Sequence, residues 1–181
     1  MYASLDGFAA GPNGEMNWIK FSDEIFNYAY EQTNLADTAL YGRVTYEMMD
    51  NYWPNAADQP GASKHDIEHS AWYNQVDKVV LSETLRGQQI HNTTIISDQV
   101  SEQIKALKQQ EGRNILMLGS PTAVHSLLKD NLIDIFWIFI NPIILGQGIP
   151  VFSAIKESIK LKLVNSNTFS SGVVCLQYEK K

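Results

Sequence analysis

The 181-residue sequence predicts a single domain, residues 1–181, of mixed α/β class: a central, mostly parallel sheet sandwiched by helices, with antiparallel strands added at its C-terminal edge. Three observations predict it. Short β-branched runs and amphipathic stretches alternate through the first two-thirds, as parallel strands joined by crossover helices require. After Asn131 that alternation gives way to apolar runs with a hairpin signal. The composition, 44% hydrophobic and 19% charged, suits a chain that buries one core of ordinary size and excludes global disorder.

The elements follow in order. Ser22, Asp23 and Glu24 mark a helix start, a capping side chain followed by acids at the positive end of the dipole. Ile25, Phe26, Ala29 and Tyr30 then form one apolar stripe. Thr38 to Tyr41 is a short apolar strand. Asn51 to Ser63, with Pro54, Pro60 and Gly61, reads as a surface loop. Lys78–Ser82 and Thr93–Ile96 are β-branched strands. Ser97 or Asp98 caps a helix carrying Val100, Ile104 and Leu107, and Gly112 ends it. Asn114 to Leu118 is a buried strand. Ser120 as cap and Pro121 in the first turn open a helix with Ala123, Val124, Leu127 and Leu128 inward. Ile133 to Ile140 is a long strand. Leu161–Thr168 and Val173–Tyr178 pair about Ser170-Ser171-Gly172, with Cys175 in the core.

Charge and composition exclude several functions. Fourteen Lys+Arg against twenty Asp+Glu give a net charge of −6, and only Arg43, Arg86 and Arg113 are arginines, so no basic patch suits a nucleic acid. The longest strongly apolar run, Ile135–Ile140, has six residues, far below the roughly 20 that span a bilayer. One cysteine and the absence of a basic–apolar leader at Met1 fit a cytoplasmic protein. His65 and His69 have the i, i+4 spacing of helical metal ligands, but no third ligand is placed and Asp66 and Glu68 make the segment a polar surface; no metal is expected. No G-x-S-x-G elbow supports a nucleophilic serine.

In an open α/β sheet, ligands bind at the carboxyl ends of strands. Three segments qualify. In Leu40-Tyr41-Gly42-Arg43-Val44-Thr45 a strand ends at a glycine, followed by a cation and a hydroxyl suited to phosphate; an ordinary strand-to-helix turn with a surface arginine weighs equally. In Leu118-Gly119-Ser120-Pro121-Thr122 free N–H groups at a helix start attract an anion, though the full G-x-G-x-x-G pattern is missing. Ser82, ending KVVLS, can touch a ribose or phosphate, while a plain polar turn is the commoner reading. The loop Asp6 to Gly14, with three glycines and a proline, can cover a site or simply connect. Asp23, five residues after Trp18, can donate a proton in a pocket or only complement the helix dipole.

In this order, the strings SLDGFAAGPNGEMNW, LYGRVTYEMM, KVVLSETL, ILMLGSPTAVHSLL and NLIDIFWIFINPIILGQGIPVF resemble the dihydrofolate reductase-like superfamily. The nearer resemblance is to stand-alone relatives of the C-terminal reductase domain of the bifunctional riboflavin-biosynthesis deaminase-reductase. It covers essentially the whole chain. It implies a three-layer sandwich holding NADPH, with NADH also possible. Gly42, Arg43 and Thr45 would meet its phosphates, Ser82 its adenosine half, Gly119, Ser120 and Thr122 its diphosphate, and Ala10 its nicotinamide. Asp23 would be the catalytic acid, with Trp18, Asn27 and Met49 toward the substrate. Glu24 and Asn27 stand where folate enzymes use apolar residues, and no arginine lies between Arg43 and Arg86 to clamp a glutamate tail, so dihydrofolate is expected to be a poor substrate. The expectation is a homodimeric reductase of a small pterin- or pyrimidine-like C=N or C=O compound. The alternative is a catalytically silent nucleotide-binding sensor or scaffold.

Overall fold

The computed structural model describes residues 1–153 and 155–181. In chain order the elements are β1 (Tyr2–Ser4), β2 (Phe8–Ala10), α1 (Asp23–Asn34), β3 (Ala36–Gly42), α2 (Arg43–Asp50), a 3₁₀ helix (Trp53–Asp58), α3 (Lys64–Gln75), β4 (Asp77–Leu81), β5 (Thr93–Ile96), α4 (Val100–Lys108), β6 (Asn114–Met117), α5 (Pro121–Lys129), β7 (Ile135–Asn141), β8 (Ile149–Pro150), β9 (Leu161–Thr168) and β10 (Val174–Lys180). The chain forms two compact units: Ile25–Ser120, and Met1–Glu24 together with Pro121–Lys181.

The unit Ile25–Ser120 is built on a parallel sheet of order β5-β4-β3-β6. The register aligns the carboxyl ends: Gly42 lies beside Leu81, Leu81 beside Ile96, and Leu40 beside Met117. Successive residues Ala39–Gly42 of β3 and Lys78–Val80 of β4 are buried, so both faces of these strands are covered, as is usual for parallel sheets. Tyr41, Tyr46, Tyr73, Val76 and Val80 make one core cluster. Lys78 is buried there, donating to the Val76 carbonyl at 3.1 Å and lying 4.6 Å from the Tyr73 ring centre. Burial lowers its pKa, against the raising influence of Asp50.

The other unit carries a sheet of order β1-β7-β10-β9. Strand β1 pairs parallel with β7, while β10 pairs antiparallel with β7 and β9. Phe136, Phe139 and Cys175 are buried in it, Cys175 completely. A two-stranded ribbon, β2 with β8, completes the unit.

Several expectations are corrected by local chemistry. The stretch 51–63 is not an open loop: residues 53–58 wind into a 3₁₀ helix with a proline near its start. Helix α3 follows, opened by a capping box in which the Ser63 side chain and the Asp66 backbone and carboxylate bond reciprocally. His69 on that helix is buried, not part of a polar surface. Helix α4 is entered through Gln99 at φ 45° with no side-chain cap, so neither Ser97 nor Asp98 caps it. It ends at Lys108, before Gly112, which lies against the Asp37 carboxylate. Ser120 has φ 63°, outside the extended backbone of an ordinary N-cap.

Candidate active site

The unit Ile25–Ser120 gathers three of the anticipated segments at one sheet edge. The Leu118 N–H reaches the Leu40 carbonyl at 3.3 Å, and the Ser82 N–H reaches the Ile96 carbonyl at 3.0 Å, so the strands stay side by side to their carboxyl ends. Gly42 then caps α2 in extended conformation, φ −84° and ψ 158°, with no side-chain cap. The first N–H groups of α2, at 43–45, are therefore left for a ligand or solvent. On the neighbouring strand end, Gly119 and Ser120 are both left-handed, at φ 67° and 63°. A Cβ on Gly119 would sit 3.5 Å from Thr45 Cγ2, which places this turn directly against α2. A non-glycine residue at positive φ costs of order 1 kcal/mol, the kind of strain that collects at ligand-binding turns.

Charge at this edge is balanced. Arg43 Nη1 donates to both Glu47 carboxylate oxygens, at 3.0 and 2.7 Å, one turn along α2. Arg86 donates to the Ser97 carbonyl at 3.3 Å and lies 3.5 Å from Asp98. These are exposed pairs that an incoming phosphate can rearrange at little cost. Ser82 is partly committed: its hydroxyl accepts the Leu85 N–H at 3.2 Å and meets the Thr84 hydroxyl at 3.2 Å, closing the turn. Met49 packs against the core cluster and receives the Trp53 indole N–H at 3.0 Å, so its side chain points inward; Asn27 is exposed on α1. A separate cleft of about 420 Å³ lies between α1 and α3, lined by Tyr30, Trp72 and Arg113 among others. Arg113 stands at the amino end of β6, the opposite end from the aligned carboxyl termini.

In the unit Met1–Glu24 with Pro121–Lys181, Ala10 is the last residue of β2 and is buried. Thr122 is the second residue of α5. Trp18 is half-buried, its indole N–H on the Glu15 carbonyl at 2.9 Å. Asp23 is exposed at the start of α1. Two pins fix the segment between them. Asn141, fully buried at the end of β7, accepts the Lys20 N–H at 2.8 Å. Glu24 accepts the Ser170 N–H and hydroxyl at 2.9 and 2.8 Å, bonds that lower its pKa. Glu24 thus ties down the β9–β10 turn. Sequence reasoning missed Asn141 and this use of Glu24; a polar residue ending the apolar strand Ile135–Ile140 was the available signal.

The RibD C-terminal domain family matches residues 1–175. The chain belongs to that family. In sequence it is similar to the uncharacterized protein YyaP of Bacillus subtilis, 34% identical over 178 residues, 97% of this chain and 89% of that one. In structure it resembles the diaminohydroxyphosphoribosylaminopyrimidine deaminase/5-amino-6-(5-phosphoribosylamino)uracil reductase of Thermotoga maritima, with TM-score 0.69 and 19% identity over 99% of this chain. That match spans 55% of the bifunctional protein, so this chain has about half its length. It also resembles the dihydrofolate reductase of Enterococcus faecalis complexed with NADP(H), with TM-score 0.65 and 15% identity over 99% of this chain and 93% of that one. The RibD-type chain therefore has a dihydrofolate reductase-like fold, as its motifs anticipated. Among the described residues no helix is long and apolar enough to cross a membrane.

Proposed function

We propose that this RibD-type protein is an NADPH-dependent reductase acting on a C=N or C=O carbon of a small pterin- or pyrimidine-like substrate. The observation that carries the reading is the turn Gly119-Ser120, two successive left-handed residues set against Thr45 beside the uncapped start of α2. Backbone N–H groups converging on the carboxyl ends of parallel strands suit a dinucleotide diphosphate. The family and the NADP(H)-bound Enterococcus enzyme favour the same cofactor class. NADPH, when bound, supplies the hydride.

The chain's own residues do the rest. Gly42 lets backbone approach the phosphates, the N–H groups at 43–45 and the Thr45 hydroxyl donate to them, and the Arg43 guanidinium turns from Glu47 toward the added negative charge. Ser82 contributes toward the adenosine half and Thr122 toward the diphosphate, while Ala10 serves the nicotinamide end. Trp18 and Asn27 serve the substrate, and Asp23 gives the substrate's nitrogen or oxygen its proton, directly or through water. Met49 belongs with the substrate residues in this reading, held by its contact with Trp53.

Loss of nicotinamide absorbance with a panel of pterins, pyrimidinones and aldehydes tests the activity. Turnover of one such compound, with dihydrofolate poor, is the expected result. Tight NADPH binding with no turnover of any would favour the silent sensor or scaffold instead. Arg43→Ala is expected to weaken NADPH about tenfold and NADH much less, since it removes a cation from the phosphate end. Titration by tryptophan fluorescence measures both, and equal losses would remove Arg43 from the 2′-phosphate.

The protein is also expected to act as a homodimer through its C-terminal strands. Strand β9 lies at the sheet edge, and its adjacent Leu163 and Val164 are 50% and 48% exposed. Light scattering at micromolar concentration should give twice the chain mass; a monomer would contradict this.

A further inference from the structure

The turn after β1 is held by a carboxylate that the proposed reaction leaves unexplained. Asp6 Oδ1 accepts the Ser4 hydroxyl at 2.7 Å and the Leu145 N–H at 3.1 Å, and its Oδ2 accepts the Gly146 N–H at 2.7 Å. Ser4 is itself buried, and its oxygen accepts the Phe8 N–H at 2.9 Å. One carboxylate thus joins the turn 4–8 to the loop 143–148, far apart in sequence.

Both segments run straight into the ribbon that carries Ala10. Gly7 turns the chain at φ 87° and its carbonyl accepts the Val151 N–H at 2.9 Å. Phe8 then pairs with Pro150 and Ala10 with Ile149. Gly148 lies so close to Ala10 that a Cβ there would collide with the Ala10 carbonyl. The ribbon is only three residues on one side and two on the other, too short to fix its own register. Something outside the ladder has to set it. The four bonds centred on Asp6 and Ser4 do so, beside the Leu5 N–H on the Ile143 carbonyl at 2.8 Å, and each charged one is worth more than a neutral bond.

We propose that Asp6 is a positioning residue for the nicotinamide end of the cofactor site: its carboxylate locks loop 143–148 to the turn 4–8 and so holds the Ala10 peptide in one place. This rests on the reductase reading, in which Ala10 serves the nicotinamide. The hydrogen bonds, that from Ser4 first, keep the Asp6 carboxyl at a pKa of about 2, so the lock stays ionised at every pH where the folded protein would work.

The test replaces Asp6 with Asn, which keeps one acceptor and turns an N–H₂ toward the Gly146 N–H. Hydrogen exchange at Leu145, Gly146 and Ala10 is measured on the free protein. Affinities for NADPH and for its fragment lacking nicotinamide, 2′-phospho-ADP-ribose, are measured on the same samples. Exchange at those three amides should quicken by about tenfold or more, as local opening becomes easier. The preference for NADPH over the fragment should fall by at least about fivefold, with affinity for the fragment unchanged within about threefold. Should Asp6→Asn prove insoluble, Ser4→Ala, which removes the bonds to Asp6 and from Phe8 but leaves those of Asp6 with Leu145 and Gly146, should move both readouts the same way by a smaller factor. Unchanged exchange would overturn the lock; faster exchange with an unchanged preference would overturn its positioning role. A wild type that binds NADPH but reduces nothing would sink the reductase reading while the affinity ratio still judges Asp6. A wild type that discriminates against neither nucleotide because it binds neither would sink both.

Discussion

Replacing Asp23 with asparagine is expected to reduce turnover by about 10²-fold or more, the usual scale for losing a general acid, and to leave NADPH affinity within about threefold. Asp23 is the first residue of α1, exposed, and without a side-chain partner among the described residues. Its neighbours are committed where it is not: the Lys20 backbone is pinned by Asn141, and Glu24 is spent on Ser170. The segment is therefore held at both sides of a carboxylate that has nothing structural to bond. An acid that served only the helix start would behave differently. Its loss would remove about 0.3–1 kcal/mol of dipole interaction, lower the melting temperature slightly, and leave the rate alone. Rate, affinity and melting temperature on the one variant separate the two cases.

Acid should destabilise the unit Ile25–Ser120 through His69. The residue is 8% exposed, its ring centre 4.1 Å from Trp53 and 5.1 Å from Trp72, and its Nε2 has no partner among the described residues. Burial first, and the charge of His65 second, lower its pKa from 6.5 to about 3. The unfolded chain then takes up a proton below about pH 6.5 that the folded chain refuses until about pH 3. Stability is therefore full above pH 6.5 and falls steadily as the pH drops toward 3. Between pH 7.5 and 4.5 this one group should remove about 2–3 kcal/mol. Asp37 and Asp66, whose pKa values are lowered by hydrogen bonds to Arg113 and Ser63, lose stability only below the ordinary carboxylate range, but the buried Met1 amino group, lowered by burial from 8.0 to about 6, loses stability across the same window, so the histidine share is read by comparison with a His69 variant. Urea titrations at the two pH values should show a loss that is smaller by about 2–3 kcal/mol in His69→Phe than in the wild type, the remainder belonging to the Met1 amino group. An equal loss in the variant would mean that His69 is protonated in the folded state.

What the sequence disclosed and what it hid follow from the range of the interactions. KVVLS and TTII read as strands because β-branched runs suit a doubly covered sheet, and Pro121 marked a helix start because its ring fits the first turn. Gly42-Arg43-x-Thr45 and Gly119-Ser120 were legible as strand-end turns, but their adjacency was not; it depends on β6 lying beside β3, a pairing between residues some 80 apart that no local pattern encodes. Helix α3 was hidden because its apolar residues make no clean stripe, and His69 and Ser70 are buried beside Tyr73. The left-handed entry at Gln99 could not be read at all, since glutamine has no preference for it. Asp6 and Asn141 were passed over for a similar reason: each acts through backbone groups more than a hundred residues away.

The central claim is that a nicotinamide dinucleotide lies across the carboxyl ends of β3, β4 and β6. A crystal structure of the protein with NADPH tests it in one measurement. The expected result is phosphates within hydrogen-bonding distance of the N–H groups at 43–45 and of the Gly119-Ser120 turn, with Arg43 swung away from Glu47. Nucleotide bound instead in the cleft between α1 and α3, or no nucleotide at saturating concentration, would contradict it.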